Sequence, residues 1–198
     1  MAKSRLKVPV WFIIIALLIA LAGWLGGQYN SLIRLDAEVE LGWSEVQTQY
    51  QRRSDLIPQL IATVQGSADF ESSVLMGVTE ARTNWLGSQN DTSTTTEQME
   101  ASSSFDSAIS RLLVTVENYP DLKSSENFLS LQAQLEGTEN RVSVSRDDYN
   151  ADVTDYNKSV RQVPTNIVAA MFSFNEHILF ESEEGSEIAP EVEFDFSR

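Results

Sequence analysis

Residues 8–27 read VPVWFIIIALLIALAGWLGG, twenty residues without a charge. At 1.5 Å of rise per residue, a helix of that length reaches about 30 Å, the thickness of a bilayer's hydrocarbon core. Val10, Phe12, Ile13, Ile14, Ile15, Leu17, Leu18, Ile19 and Leu21 fill its centre. Each favours insertion by roughly 0.3–0.6 kcal/mol. Trp11 and Trp24 stand near the two ends, where amphipathic rings prefer the headgroup level. Pro9 falls in the first turn, where its missing N–H costs little. The segment is read as a transmembrane anchor.

Lys3, Arg5 and Lys7 precede this run, and no acidic residue does. The positive-inside rule then sets residues 1–7 in the cytoplasm and the chain from about residue 28 outside it. A cleaved signal peptide is the competing reading, because a basic start, an apolar run and Ala20-Leu21-Ala22 fit that pattern too. The run continues past Ala22 through Trp24 and Leu25, which suits spanning better than cleavage. Ala16, Ala20, Gly23 and Gly27 follow one another at spacings of four, three and four. They put small residues on one helix face, which allows close helix–helix approach in lipid. This face is the candidate for self-association, against the plainer reading that Ala and Gly are common in membrane helices.

Beyond the anchor the balance is acidic. All 29 Asp and Glu lie there, and the formal net charge of the chain is −15. Such a surface repels nucleic-acid phosphate, so no nucleic-acid partner is expected. The chain has no cysteine, which excludes disulfides and thiolate metal sites. Its one histidine, His177, sits among apolar residues in FNEHILFE and reads as a hydrogen-bonded packing residue. No G-x-S-x-G, phosphate loop or H-E-x-x-H occurs. No catalysis, cofactor or small-molecule substrate is therefore expected.

Residues 28–180 carry the period of amphipathic helices. Leu32, Val39, Trp43, Val46, Tyr50, Leu60 and Val64 recur at three-or-four spacing. No breaker stands between the anchor and Pro58, so the helix is expected to leave the membrane without interruption, to kink at Pro58 and to stop at Gly66. A second helical region begins near Ser67, with Val74, Val78, Ala81 and Trp85 inward. The polar stretch after Gly87 reads as a loop, with helix resuming near Thr95. Phe105, Ile109, Leu112, Leu113 and Val116 then form an apolar face. A long helix is expected from about residue 122 to 162, with Phe128, Leu131, Leu135, Val142, Tyr149, Val153 and Tyr156 inward, followed by a short apolar helix over 166–174. Residues 181–198 read as an acidic extended tail, docked through Val192, Phe194 and Phe196 or disordered. The fold class is all-α: one transmembrane helix, then an elongated antiparallel bundle of coiled-coil-like packing.

Two polar clusters invite chemistry. Gln51-Arg52-Arg53-Ser54-Asp55 is the densest charged motif. Arg52, Arg53 and Asp55 are the candidate partner or anion surface, since guanidinium forks suit carboxylate or phosphate. The plainer reading is ion pairing within an acidic bundle. Glu136, Glu139 and Asn140 could gather with Glu45 or Asp55, but di-metal bundles use Glu-x-x-His pairs that this chain lacks. A polar network that fixes helix register, or simply a solvated face, is the preferred reading, and no metal is expected. Asn90-Asp91-Thr92 and Asn157-Lys158-Ser159 match the glycosylation tripeptide.

Tyr29-Asn30-x-Leu32-Ile33 and Trp43-x-x-Val46-x-x-Gln49-Tyr50-Gln51-Arg52-Arg53-x-Asp55-Leu56-Ile57-Pro58-x-Leu60 resemble the LemA family of bacterial membrane proteins. So do Glu117-Asn118-Tyr119-Pro120-x-Leu122-Lys123, Leu135-Glu136-Gly137-Thr138-Glu139-Asn140-Arg141 and Tyr156-Asn157-x-x-Val160-Arg161-x-x-Pro164. The resemblance implies one N-terminal membrane helix and an antiparallel helical bundle outside the cytoplasm. That places the anchor in a bacterial inner membrane and the domain in the periplasm. It carries over no catalytic residues. Relatives encoded beside membrane peptidases imply such an enzyme as a partner. The expected role is a membrane-tethered scaffold that binds partners or copies of itself, the alternative being an accessory subunit of a membrane enzyme such as a peptidase.

Overall fold

The computed structural model describes residues 9–66, 70–90 and 92–180. Helices α1 (Val10–Gln65), α2 (Ser72–Ser88), α3 (Thr95–Val116), α4 (Pro120–Lys123), α5 (Glu126–Arg161) and α6 (Thr165–Phe172) fill most of them, and the described residues contain no strand. The start of the second helix expected near Ser67 and the whole tail lie outside the described residues, apart from α2 itself, which begins at Ser72.

α1 is one helix of 56 residues, about 84 Å long at 1.5 Å per residue. The apolar run and the first bundle helix are therefore a single element, as the lack of a breaker predicted. The helix runs on through Pro58, and Gly66 caps it with a right-handed φ of −65°. Its two parts differ in what they touch. The most apolar window packs against nothing in the protein, and residues such as Phe12, Leu17 and Ile19 are exposed. From Leu32 onward one face turns inward, with Val39, Val46, Arg53 and Leu60 buried every seventh residue. α5 answers with Phe128, Leu135, Val142, Tyr149 and Tyr156 at the same interval. Matched seven-residue repeats keep two helices in contact over their length.

The two helices run antiparallel. Gly42 faces Tyr149 and Arg53 faces Glu139. At the near end Thr165 Oγ1 donates to Gln28 Oε1 at 3.0 Å. Gly42 marks a close approach: a Cβ there would meet the Tyr149 Cα at 3.3 Å and Asp152 Oδ2 at 3.0 Å. Glycine lets the backbones close, and Trp43, which the apolar spacing assigns to the buried stripe, sits only partly covered beside Tyr149.

α2 and α3 form a hairpin laid on the distal part of this pair. Trp85 stacks between Tyr50 and Phe105, with centroids 6.0 and 6.1 Å away. Thr94 and Glu97 start α3 as a reciprocal capping box, which satisfies two backbone donors that a helix start leaves open. The up-down-up-down order of α1, α2, α3 and α5 is that of a four-helix bundle. The expected single helix over 122–162 is interrupted: Pro120 opens the short α4, and Ser125 starts α5 by accepting from the Phe128 N–H at 3.3 Å. A serine that satisfies a free N–H makes a new helix start cheaper than continuation.

The end of the bundle nearest the apolar run is closed by α6. Val168 and Ala169 pack on Leu32, with Leu25, Tyr29 and Phe174 around them. Ser173 ends α6 in the left-handed region, φ 61°, and the chain then turns back along α5 as an extended strap over residues 174–180.

Candidate functional site

Three places concentrate polar chemistry or unsatisfied surface. The first lies at mid-bundle, where α1, α3 and α5 meet. Asp106 accepts from Tyr50 Oη at 2.6 Å and from Arg53 Nη1 at 2.5 Å, and also from Arg146. The Arg53 guanidinium, 4% exposed, pairs in addition with Glu139. Arg146 lies 5.2 Å from the Tyr50 ring centroid and 4.2 Å from that of Phe180. Two guanidinium groups and two carboxylates balance, so the cluster fixes one register between three helices without leaving a net buried charge. Nearby, Gln98 Oε1 accepts from Trp43 Nε1 at 2.8 Å and from Gln47 Nε2 at 3.1 Å.

The second is the strap. Asn157 holds the backbone of His177 in both directions, Nδ2 donating at 2.8 Å and Oδ1 accepting at 2.9 Å. Asn150 does the same for Phe180, at 3.0 and 2.7 Å. Seven helical residues advance about 10.5 Å, and three extended residues about 10 Å, so the two spacings coincide. Tyr149 Oη donates to the Ile178 carbonyl at 2.9 Å, and burial pushes that phenol up to about 12. The Tyr156 phenol is likewise raised to about 12, by burial and then by Asp36. His177 rests on the Tyr156 ring at 4.7 Å, with Nε2 2.7 Å from Asp36 Oδ1. It is a packing residue with a hydrogen bond, as its apolar setting implied. Asn157, which matches a glycosylation tripeptide, has its amide committed to this backbone.

The third is the apolar part of α1. Ala16, Ala20, Gly23 and Gly27 are exposed, and a Cβ built on Gly23 or Gly27 would meet nothing within 4 Å. At 3.6 residues per turn, this face looks away from Leu25, Gln28, Tyr29 and Leu32, on which α6 packs.

The charged motif is divided. Arg53 turns into the bundle, whereas Arg52 and Asp55 stay at the surface, where Asp55 accepts from Gln51 at 2.8 Å. The three do not form one patch. Glu139 is drawn to Arg53. Among the described residues no group of three or more His, Cys, Asp or Glu is placed to hold a metal ion. The cleft between α3 and the strap is lined by Met99, Glu100, Ser103, Ile178 and Leu179. Sequence reasoning missed Asp106, Asn150 and Asn157, whose roles depend on partners 20 to 56 residues away.

Comparison with known proteins agrees with this architecture. The sequence model of the LemA family matches residues 42–194. The chain is 26% identical over 158 residues to Protein LemA of Metamycoplasma hominis, covering 80% of this chain and 71% of that one. It is 24% identical over 169 residues to magnetosome protein MamQ 1 and to MamQ 2 of Paramagnetospirillum magneticum, covering 74% of this chain. The match spans 62% of the length of each MamQ protein.

Proposed function

Since the chain belongs to the LemA family and is a membrane-associated helical protein, we propose that it acts as a single-pass, membrane-anchored scaffold. Its rod projects outside the cytoplasm and binds partners, or further copies of the chain, without catalysis. The observation that carries this reading is the unbroken α1. Its exposed apolar part and its buried bundle face belong to one rigid element, so a membrane that holds the first part also directs the rod. Basic residues ahead of the span orient it. Confinement to one plane raises the effective concentration of the rods, and the unpacked Ala16–Ala20–Gly23–Gly27 face offers a contact between anchors. Arg52 and Asp55 remain as a candidate surface for a protein partner. Neither the family nor the relatives named above bear an enzyme's name.

Chemical crosslinking in cells, followed by native purification from membranes, tests the proposal. Ladders of the chain itself are expected, and Gly23→Leu with Gly27→Leu should shorten them. A fixed stoichiometric complex with a membrane enzyme such as a peptidase, unaffected by these substitutions, would replace the scaffold with the accessory-subunit reading.

A further inference from the structure

Val163, Ile167, Met171 and Phe172 are 73%, 60%, 57% and 52% exposed. Ile167 and Met171, one turn apart, lie on the side of α6 away from the buried Val168 and Ala169, while the Phe172 ring, on the other side, rests 4.7 Å from that of Tyr29. Such a cluster at one end of a domain calls for a covering surface. Its charge is equally unusual for this chain. Residues 162–175 carry no charged side chain at all, in a protein with 29 acidic residues. The charges at its border cancel each other, with Arg161 Nε donating to Glu176 Oε1 at 2.8 Å.

Position identifies the cover. α6 packs on Leu25, Tyr29 and Leu32, and Thr165 bonds Gln28. These positions run from two residues before Gly27, where the apolar run ends, to five residues after it. Along the helix axis the farthest lies about 7.5 Å beyond that end. The headgroup layer on one side of a bilayer is roughly 5–8 Å thick, and interfacial helices sink about 5–10 Å into it. α6 therefore stands at the level of the headgroups. Resting on the reading of residues 8–27 as a membrane span, we infer that α6 is an interfacial foot whose Ile167 and Met171 enter the outer leaflet. The surface it seeks is lipid and is indifferent to lipid charge, because α6 has no charge of its own. A second copy joined through the small-residue face of the anchor would sit on the opposite side of α1 and leave α6 uncovered.

The chain has no cysteine, so single cysteines report cleanly. Ile167→Cys and Met171→Cys are placed in the full chain, labelled with an environment-sensitive fluorophore and reconstituted in phosphatidylcholine vesicles. The vesicles carry spin-labelled lipids with the label near the headgroup or near the chain end. Leu17→Cys, mid-span, and Val144→Cys, exposed on α5, are the references. The foot predicts loss of most emission at 167 and 171 with the shallow label, little loss with the deep one, and no change when anionic lipid is added. Leu17→Cys should be quenched by the deep label and Val144→Cys by neither. Quenching at Leu17 with none at 167 and 171 overturns the foot and leaves the anchor standing. Unquenched but blue-shifted emission at 167 that grows with protein-to-lipid ratio overturns it in favour of a second copy. Absence of quenching at Leu17 overturns the anchor, and the foot with it.

Discussion

Replacing Asp106 by alanine should destabilise the bundle far more than the loss of one surface charge. Asp106 receives Tyr50, Arg53 and Arg146. Its removal leaves the Arg53 guanidinium, 4% exposed, with only a half-exposed partner in Glu139. Stripping one member from a desolvated ion pair costs about 3–5 kcal/mol. Asp106 and Arg146 retain 17% and 24% exposure, so screening by water brings the expected loss below that range, to about 2–3 kcal/mol. For a domain of this size each kcal/mol moves the melting midpoint by about 2–4 °C, which gives a shift of about 4–12 °C. Circular dichroism of the full chain in mild detergent reads it. Arg34→Ala serves as the reference, because its pair with Glu38 is exposed at 68% and 44% and such i,i+4 pairs contribute about 0.3–0.5 kcal/mol. Adding Arg53→Met to Asp106→Ala should recover part of the loss, since the stranded charge is gone. Equal midpoints for Asp106→Ala and Arg34→Ala would refute the claim that Asp106 holds α1, α3 and α5 together.

Gly42→Ala should be close to neutral. Its Cβ crowds Tyr149 at 3.3 Å, but the helix gains about 1 kcal/mol over glycine. Gly42→Val adds two methyl groups against the same backbone and should cost about 1–3 kcal/mol, read by denaturant midpoint. Burial first, then Glu38, Asp148, Asp155 and Glu45, hold the Asp152 carboxyl above its ordinary value of 3.8. The stability that this group contributes is full below that value and lost as pH rises through the raised folded value. Asp152→Asn should therefore raise the neutral-pH midpoint, with the gain vanishing in acid; a gain that persists in acid contradicts the shift. Asn150→Ala with Asn157→Ala should speed amide exchange at His177 and Phe180, whose N–H groups these side chains accept. Amides within α5 at Val142 and Val153 should stay protected, and unchanged exchange at Phe180 would show that the strap is held by other means.

Periodic burial was legible in the sequence because it repeats locally. Phe105, Ile109, Leu112 and Val116 were readable as one face, and all are buried. The restart at Thr95 was readable because a polar stretch interrupts the helical period before it; the Thr94–Glu97 capping box that starts the helix is visible only in the structure. The break at Ser124–Ser125 was not, because the helical period continues across it and one serine hydroxyl decides it. Arg53 was readable either as part of a partner surface or as one side of an ion pair within the acidic bundle; the partner that draws it inward, Asp106, was not, because only folding brings it near. Gly42 lay beside a tryptophan that pattern alone would bury, and the choice between them came from the backbone approach of α5. The strap lacked any period of its own. Its register is written in Asn150 and Asn157, on another element, and in the coincidence of seven helical with three extended residues.

Everything proposed for this chain depends on one rod held upright by one anchor, with the bundle outside the cytoplasm. Labelling with a membrane-impermeant maleimide in bacterial spheroplasts tests that directly, using Val144→Cys on the exposed side of α5 and Ser4→Cys ahead of the apolar run. Val144→Cys is expected to label in intact spheroplasts, and Ser4→Cys only after lysis. Val144→Cys that stays unlabelled until lysis would contradict that placement.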